Sequence, residues 1–85
     1  MQALSGQVKK SGQIVADNLK GMYEVETKRD GSQNWTGYFI APANAKFNIG
    51  DHVEIALTTG QAKEVEVQRV NIAPTQITVS FITPL

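Results

Sequence analysis

Eighty-five residues, 41% hydrophobic and 19% charged, suit one small globular domain: the chain is too apolar for a disordered polymer and too short for two cores. Eight basic and eight acidic residues cancel, so no global field draws the chain to nucleic acid or to an anionic membrane. The absence of cysteine excludes disulfides, thiolate catalysis and sulfur-ligated zinc, and leaves stability to packing.

The opening MQALSGQVKK has no long apolar run behind a basic start, so it reads as neither secretory signal nor membrane span, and a cytoplasmic location is expected. The first predicted strand places Leu4 and Val8 inward and ends at Ser11-Gly12. Residues 13–16 read as a second short strand followed by an Asp17-Asn18 turn. The competing reading is one or two helical turns closed by Gly21, because Val15 and Leu19 are spaced for one helical face; the strand is preferred.

Residues 22–41 read as two strands around the turn signal Asp30-Gly31. Tyr23, Val25 and Thr27 share one face of the first. The second, over 35–41, is apolar on both faces, with Trp35 and Phe39 on one and Tyr38 and Ile40 on the other. That pattern suits a central strand of a closed barrel or half of an oligomer interface. Gly37 in its middle predicts a bend or a close backbone approach.

In FNIGDHVEIAL, residues 47–57, Phe47 anchors a loop, Gly50-Asp51 makes a corner, and Val53, Ile55 and Leu57 alternate inward. The next strand turns Val65 and Val67 inward and Glu64, Glu66 and Gln68 outward. An odd-length loop around Thr59, Gly60 and Gln61, with the glycine at positive φ, pairs Ile55 with Val65 and Val53 with Val67. The same register sets Asp51 against Arg69 and Glu54 against Glu66. Beyond Val67 the apolar parity changes, which predicts a bulge near Gln68 and Arg69. A last strand brings Ile77, Val79 and Phe81 inward, and Pro42, Pro74 and Pro84 fall outside strand interiors. Five to six short antiparallel strands define an all-β fold, a small closed or partly open barrel. It is SH3-like first and OB-like second, since the OB form usually inserts a helix that this chain does not show.

The order Phe47-x-x-Gly50-Asp51-x-Val53-x-Ile55-x-Leu57, then Val67-x-x-Val70, then Ile77-x-Val79-x-Phe81, resembles the closing strands of several small β-barrel families, PilZ domains among them. The R-x-x-x-R arm and D-x-S-x-x-G motif through which PilZ domains hold cyclic dinucleotides are both absent, so the resemblance implies a barrel and no ligand.

Candidate chemistry is sparse. His52, the single histidine, shares an outward face with Glu54 and Glu66, a set with metal-compatible ligands and an unfavourable carboxylate pair that calls for a positive neighbour. No nucleophile elbow or phosphate loop is present, and the pairs Glu24/Glu26 and Glu64/Glu66 lie on wet faces where a carboxyl stays acidic. No enzyme activity and no cofactor are expected. Lys28 and Arg29 beside Trp35 and Tyr38 are the ingredients of single-stranded nucleic acid binding, though Glu24, Glu26 and Asp30 cancel the local field. The preferred reading is a non-enzymatic binding or assembly module. It would use a protein interface, a homodimer or another protein partner, on the strand of Trp35, Tyr38 and Ile40, joined by Met22, Ile82 and Leu85.

Overall fold

A computed structural model describes residues 1–84 as six antiparallel strands: β1 (Gln2–Lys10), β2 (Gln13–Thr27), β3 (Gln33–Pro42), β4 (His52–Leu57), β5 (Ala62–Ile72) and β6 (Gln76–Ile82). They hydrogen-bond in the order β1-β2-β3-β6-β5-β4, and β4 returns to β1 to close a barrel. No helix occurs among the described residues, and the architecture is that of a small SH3-like or OB-like barrel. Closure pairs the strand edges that an open sheet of this size leaves bare. Its interior holds one apolar cluster, in which Leu4, Val8, Leu19, Trp35, Phe39, Val53, Ile55, Val65, Val67, Ile77, Val79 and Phe81 are buried. Phe47 closes the cluster from the loop over 43–51, its ring edge-on to Phe39 at 5.3 Å.

The alternation in β3, β4, β5 and β6 sorts side chains as the sequence predicts. Two features differ. Residues 13–20 form neither a helical turn nor a separate short strand, because β2 runs unbroken from Gln13 to Thr27 along β1. The Asp17-Asn18 pair is a bulge inside that strand: Leu19 lies opposite Gly6 and Ala16 opposite Val8, so the two strands lose step there. Asn18 takes a left-handed φ of 51°, which asparagine tolerates. The bulge turns Ala16 and Leu19 to the same interior, although their odd spacing would put them on opposite faces of a regular strand.

The register of β4 on β5 also differs. The β4–β5 loop is Thr58-Thr59-Gly60: the Leu57 N–H donates to the Gln61 carbonyl at 2.7 Å, and the Gly60 N–H to the Leu57 carbonyl at 2.9 Å. Gly60, at φ 98°, fills the left-handed third position. The β2–β3 loop Arg29-Asp30-Gly31 is built the same way, with Lys28 N–H to Ser32 carbonyl at 2.8 Å and Gly31 at φ 87°. The β4–β5 turn is therefore centred one residue before the expected place. Val53 faces Val65, His52 faces Glu66 and Glu54 faces Glu64, instead of Val53 with Val67 and Glu54 with Glu66. Moving a turn by one residue shifts every pair by two, which preserves the facing of each side chain. The predicted core survives an incorrect register for that reason.

The expected bulge near Gln68 is present, between the pairs Val67 with Phe81 and Arg69 with Ser80. Gly37 is a close-approach position: a Cβ there would collide with the Met22 carbonyl and the Tyr23 backbone on β2.

Candidate functional site

Cross-strand register assembles an apolar strip on the outer wall. Met22 on β2 lies opposite Tyr38 on β3, and Tyr38 opposite Ser80 on β6. One row along, Ile40 stands between Lys20 and Thr78, and in the opposite direction Ile82 stands between Thr36 and Glu66. Ile40 is exposed, while Met22, Tyr38 and Ile82 are half-buried. Lys20, Glu24 and Arg69 rim the strip. Leu85, which the sequence grouped with these residues, lies outside the described residues.

Trp35 does not belong to this surface. It points into the barrel, is 2% exposed, and stacks in a tilted arrangement on Tyr23 with centroids 5.3 Å apart. Its indole N–H donates to Gln33 Oε1 at 3.3 Å, so a side chain with one polar atom sits in the core with that atom satisfied. The sequence expectation that Trp35 serves a binding face is corrected: the parity of β3 assigns it with Phe39 and Ala41 to the interior.

Lys28 and Arg29 are exposed on the β2–β3 loop. Asp30 between them and Gly31 accepts both the backbone N–H of Ser32, at 2.9 Å, and its hydroxyl, at 2.6 Å. The Ser32 hydroxyl, then its backbone N–H, and further the Lys28 charge hold the Asp30 carboxyl below the ordinary aspartate range. The basic turn thus carries a firmly ionised carboxylate at its tip.

His52 sits on the outer face of β4 with Nε2 3.2 Å from Glu66 Oε1 and Nδ1 3.6 Å from Glu64 Oε2. Glu54, the third member of the expected set, faces Glu64. No group of three or more histidine and carboxylate side chains is placed to hold a metal among the described residues. On β1, Lys9 stands opposite Glu54 in the pairing register, which sets one cation along the acidic face. No polar or charged side chain is buried among the described residues.

The closed topology joins two clusters that are far apart in sequence. Lys28 and Asn34 of the basic hairpin, with His52, Glu66, Gln68 and Thr83, line one groove of about 470 Å3. β6 bridges them by pairing with β3 on one side and β5 on the other. Alternation along β5 already sets Gln68 on the outward face of Glu64 and Glu66, whereas Thr83 carries no local signal and is placed there by the strand order alone. Asp51 was likewise expected against Arg69 and instead meets Lys10, Nζ to Oδ2 at 2.9 Å. Comparison with known proteins returns no match to a protein-family model, a curated protein or a solved structure.

Proposed function

We propose that this chain is a non-enzymatic binding and assembly module that docks a protein, a second copy or a different chain, on the outer wall of β2, β3 and β6. The observation that carries this reading is the contiguous strip Met22, Tyr38, Ile40 and Ile82 on a wall where strand alternation ordinarily places polar residues. The buried core is built without these four side chains, so packing of the barrel gives them no task. An aromatic and three aliphatic anchors inside a rim of Lys20, Glu24 and Arg69 have the make-up of a protein interface, apolar at the centre and charged at the edge. Inward placement of Trp35 weighs against the single-strand nucleic acid reading, because it leaves Lys28 and Arg29 without the indole as a stacking partner.

Migration of the native complex tests the reading. In extract of the native host the chain runs well above its own 9.3 kDa, and the double substitution Tyr38→Glu with Ile40→Glu lowers its apparent size while the purified variant keeps its fold. A wild-type chain already at its own mass, or a variant with unchanged migration, contradicts it.

A further inference from the structure

Charge along the outer wall is ordered. On β2, Lys20, Met22 and Glu24 point outward at alternate positions, while Leu19 and Tyr23 are buried. Register carries these three levels across the wall: Lys20, Ile40 and Thr78 form one row, Met22, Tyr38 and Ser80 the next, and Glu24, Thr36 and Ile82 the third. The apolar strip therefore has a cation at one end of its β2 margin and a carboxylate at the other, about 14 Å apart by strand rise. Neither charge is engaged within the chain: ion pairs among the described residues join Lys10 to Asp51 and His52 to Glu64 and Glu66. The cross-strand neighbours, Ser5 and Ile40 for Lys20 and Thr36 for Glu24, are uncharged.

We infer that the occupant of this wall is a second copy of the chain, packed face to face about a two-fold axis that crosses the strands along the row of Met22, Tyr38 and Ser80. The inference rests on the docking wall proposed above and names its partner. Such an axis exchanges the rows on either side of it. Lys20 then lies over the partner's Glu24 and Glu24 over the partner's Lys20, while Met22 and Tyr38 meet their own copies at the centre. Ile40 falls on the partner's Thr36 and Ile82 on the partner's Thr78, so no like charges meet on β2, β3 or β6. An axis running along the strands between β3 and β6 would instead set Glu24 over Glu66, and one along β3 would set Glu24 on Ile82. A cation and a carboxylate equidistant from the central row make the wall complementary to itself, the arrangement that favours a second copy over an unrelated chain. Zero net charge adds no long-range repulsion between copies. Arg69 extends the central row onto β5, two strands from Tyr38, where the closed barrel curves away from the contact.

Exchange of the two charges tests the inference by light scattering of the purified protein. The wild-type chain approaches twice its 9.3 kDa mass as concentration rises. Lys20→Glu and Glu24→Lys each set like charges against one another at both ends of the contact and weaken association by about tenfold or more at low salt, with an unchanged circular dichroism spectrum. Mixed in equal amounts, the two variants associate with each other as tightly as the wild type, because each supplies the charge that the other lacks. The double variant Lys20→Glu with Glu24→Lys also recovers the dimer. A chain of monomer mass at all concentrations, or single variants that dimerise as the wild type does, overturns the second copy as the occupant. So do two variants that stay monomeric when mixed. In each of these cases the docking wall itself fails only if the size of the complex in native extract is also unmoved by Tyr38→Glu with Ile40→Glu.

Discussion

Lys10 and Asp51, far apart in the chain, meet across one end of the barrel with Nζ 2.9 Å from Oδ2. The pair ties the end of β1 to the loop that delivers β4, and the same carboxylate oxygen accepts the Asn48 N–H at 3.0 Å. The Asn48 backbone hydrogen bond first, then the Lys10 hydrogen bond and charge, hold the Asp51 carboxyl below its ordinary value of 3.8. A carboxyl whose value is lowered on folding stabilises the fold at pH above the unfolded value, and that contribution disappears as pH falls through the lowered one. Denaturant melts from neutrality down to about pH 2 are therefore expected to lose stability below the ordinary aspartate value of 3.8. Asp51→Asn costs about 1 kcal/mol at neutral pH and flattens the acid limb, leaving the slope due to Asp30. An acid limb identical in wild type and variant contradicts the assignment.

Side-chain facing along β3 gives the second prediction. Phe39 has no exposed surface, whereas its neighbour Ile40 is 37% exposed on the outer wall. Phe39→Ala is expected to lower unfolding free energy by about 3–5 kcal/mol, enough to threaten so small a domain. Ile40→Ala is expected to stay within about 0.5 kcal/mol. Equal losses at the two positions would mean that the parity of β3 is misassigned.

Register of the β4–β5 hairpin separates two carboxylates by charge reversal. Glu64 faces Glu54, while Glu66 faces His52. Glu64→Lys replaces a like-charge pair by an opposite-charge pair and is expected to stabilise by about 0.2–1 kcal/mol. Glu66→Lys sets a cation beside the imidazole and is expected to destabilise slightly. Thermal melts of the two variants at low salt report the order, and the reverse order would favour a hairpin centred on Gly60.

Trp35 supplies an internal probe of folding alone. Its burial against Tyr23 predicts blue-shifted emission, weak quenching by acrylamide, and no change with protein concentration or with substitutions at Tyr38. Emission that shifts on association and not on unfolding would return the indole to the surface.

The barrel and the core are largely legible in the sequence because period-two alternation is a local signal. Val53, Ile55, Leu57, Val65, Val67, Ile77, Val79 and Phe81 can be assigned inward from neighbours alone, and all are buried. What cannot be read locally is set by geometry at a distance. Centring the β4–β5 turn on Thr59 or on Gly60 leaves every facing the same, so alternation offers no means to choose. The Asp17-Asn18 bulge is composed like a turn, and only β1 alongside keeps the strand continuous. The residues of the apolar strip are legible in the sequence, Tyr38 and Ile40 from the doubly apolar strand and Met22 and Ile82 as apolar surface beyond what a small core covers, but that same pattern drew in Trp35, since composition does not distinguish the inner face of a closed barrel from an outer interface. The partners of the strip across β6, and the groove shared by Lys28 and His52, follow from a strand order that no local pattern encodes.

The central claim is that the wall bearing Tyr38 meets another protein. A photo-crosslinking phenylalanine analogue placed at position 38, compared with the same analogue at the exposed Thr59 position in the β4–β5 turn, tests it in the native host. One discrete light-dependent adduct is expected from position 38, lost when Ile40 is changed to glutamate, and none from position 59. No adduct from position 38, or the same diffuse products from both positions, would contradict it.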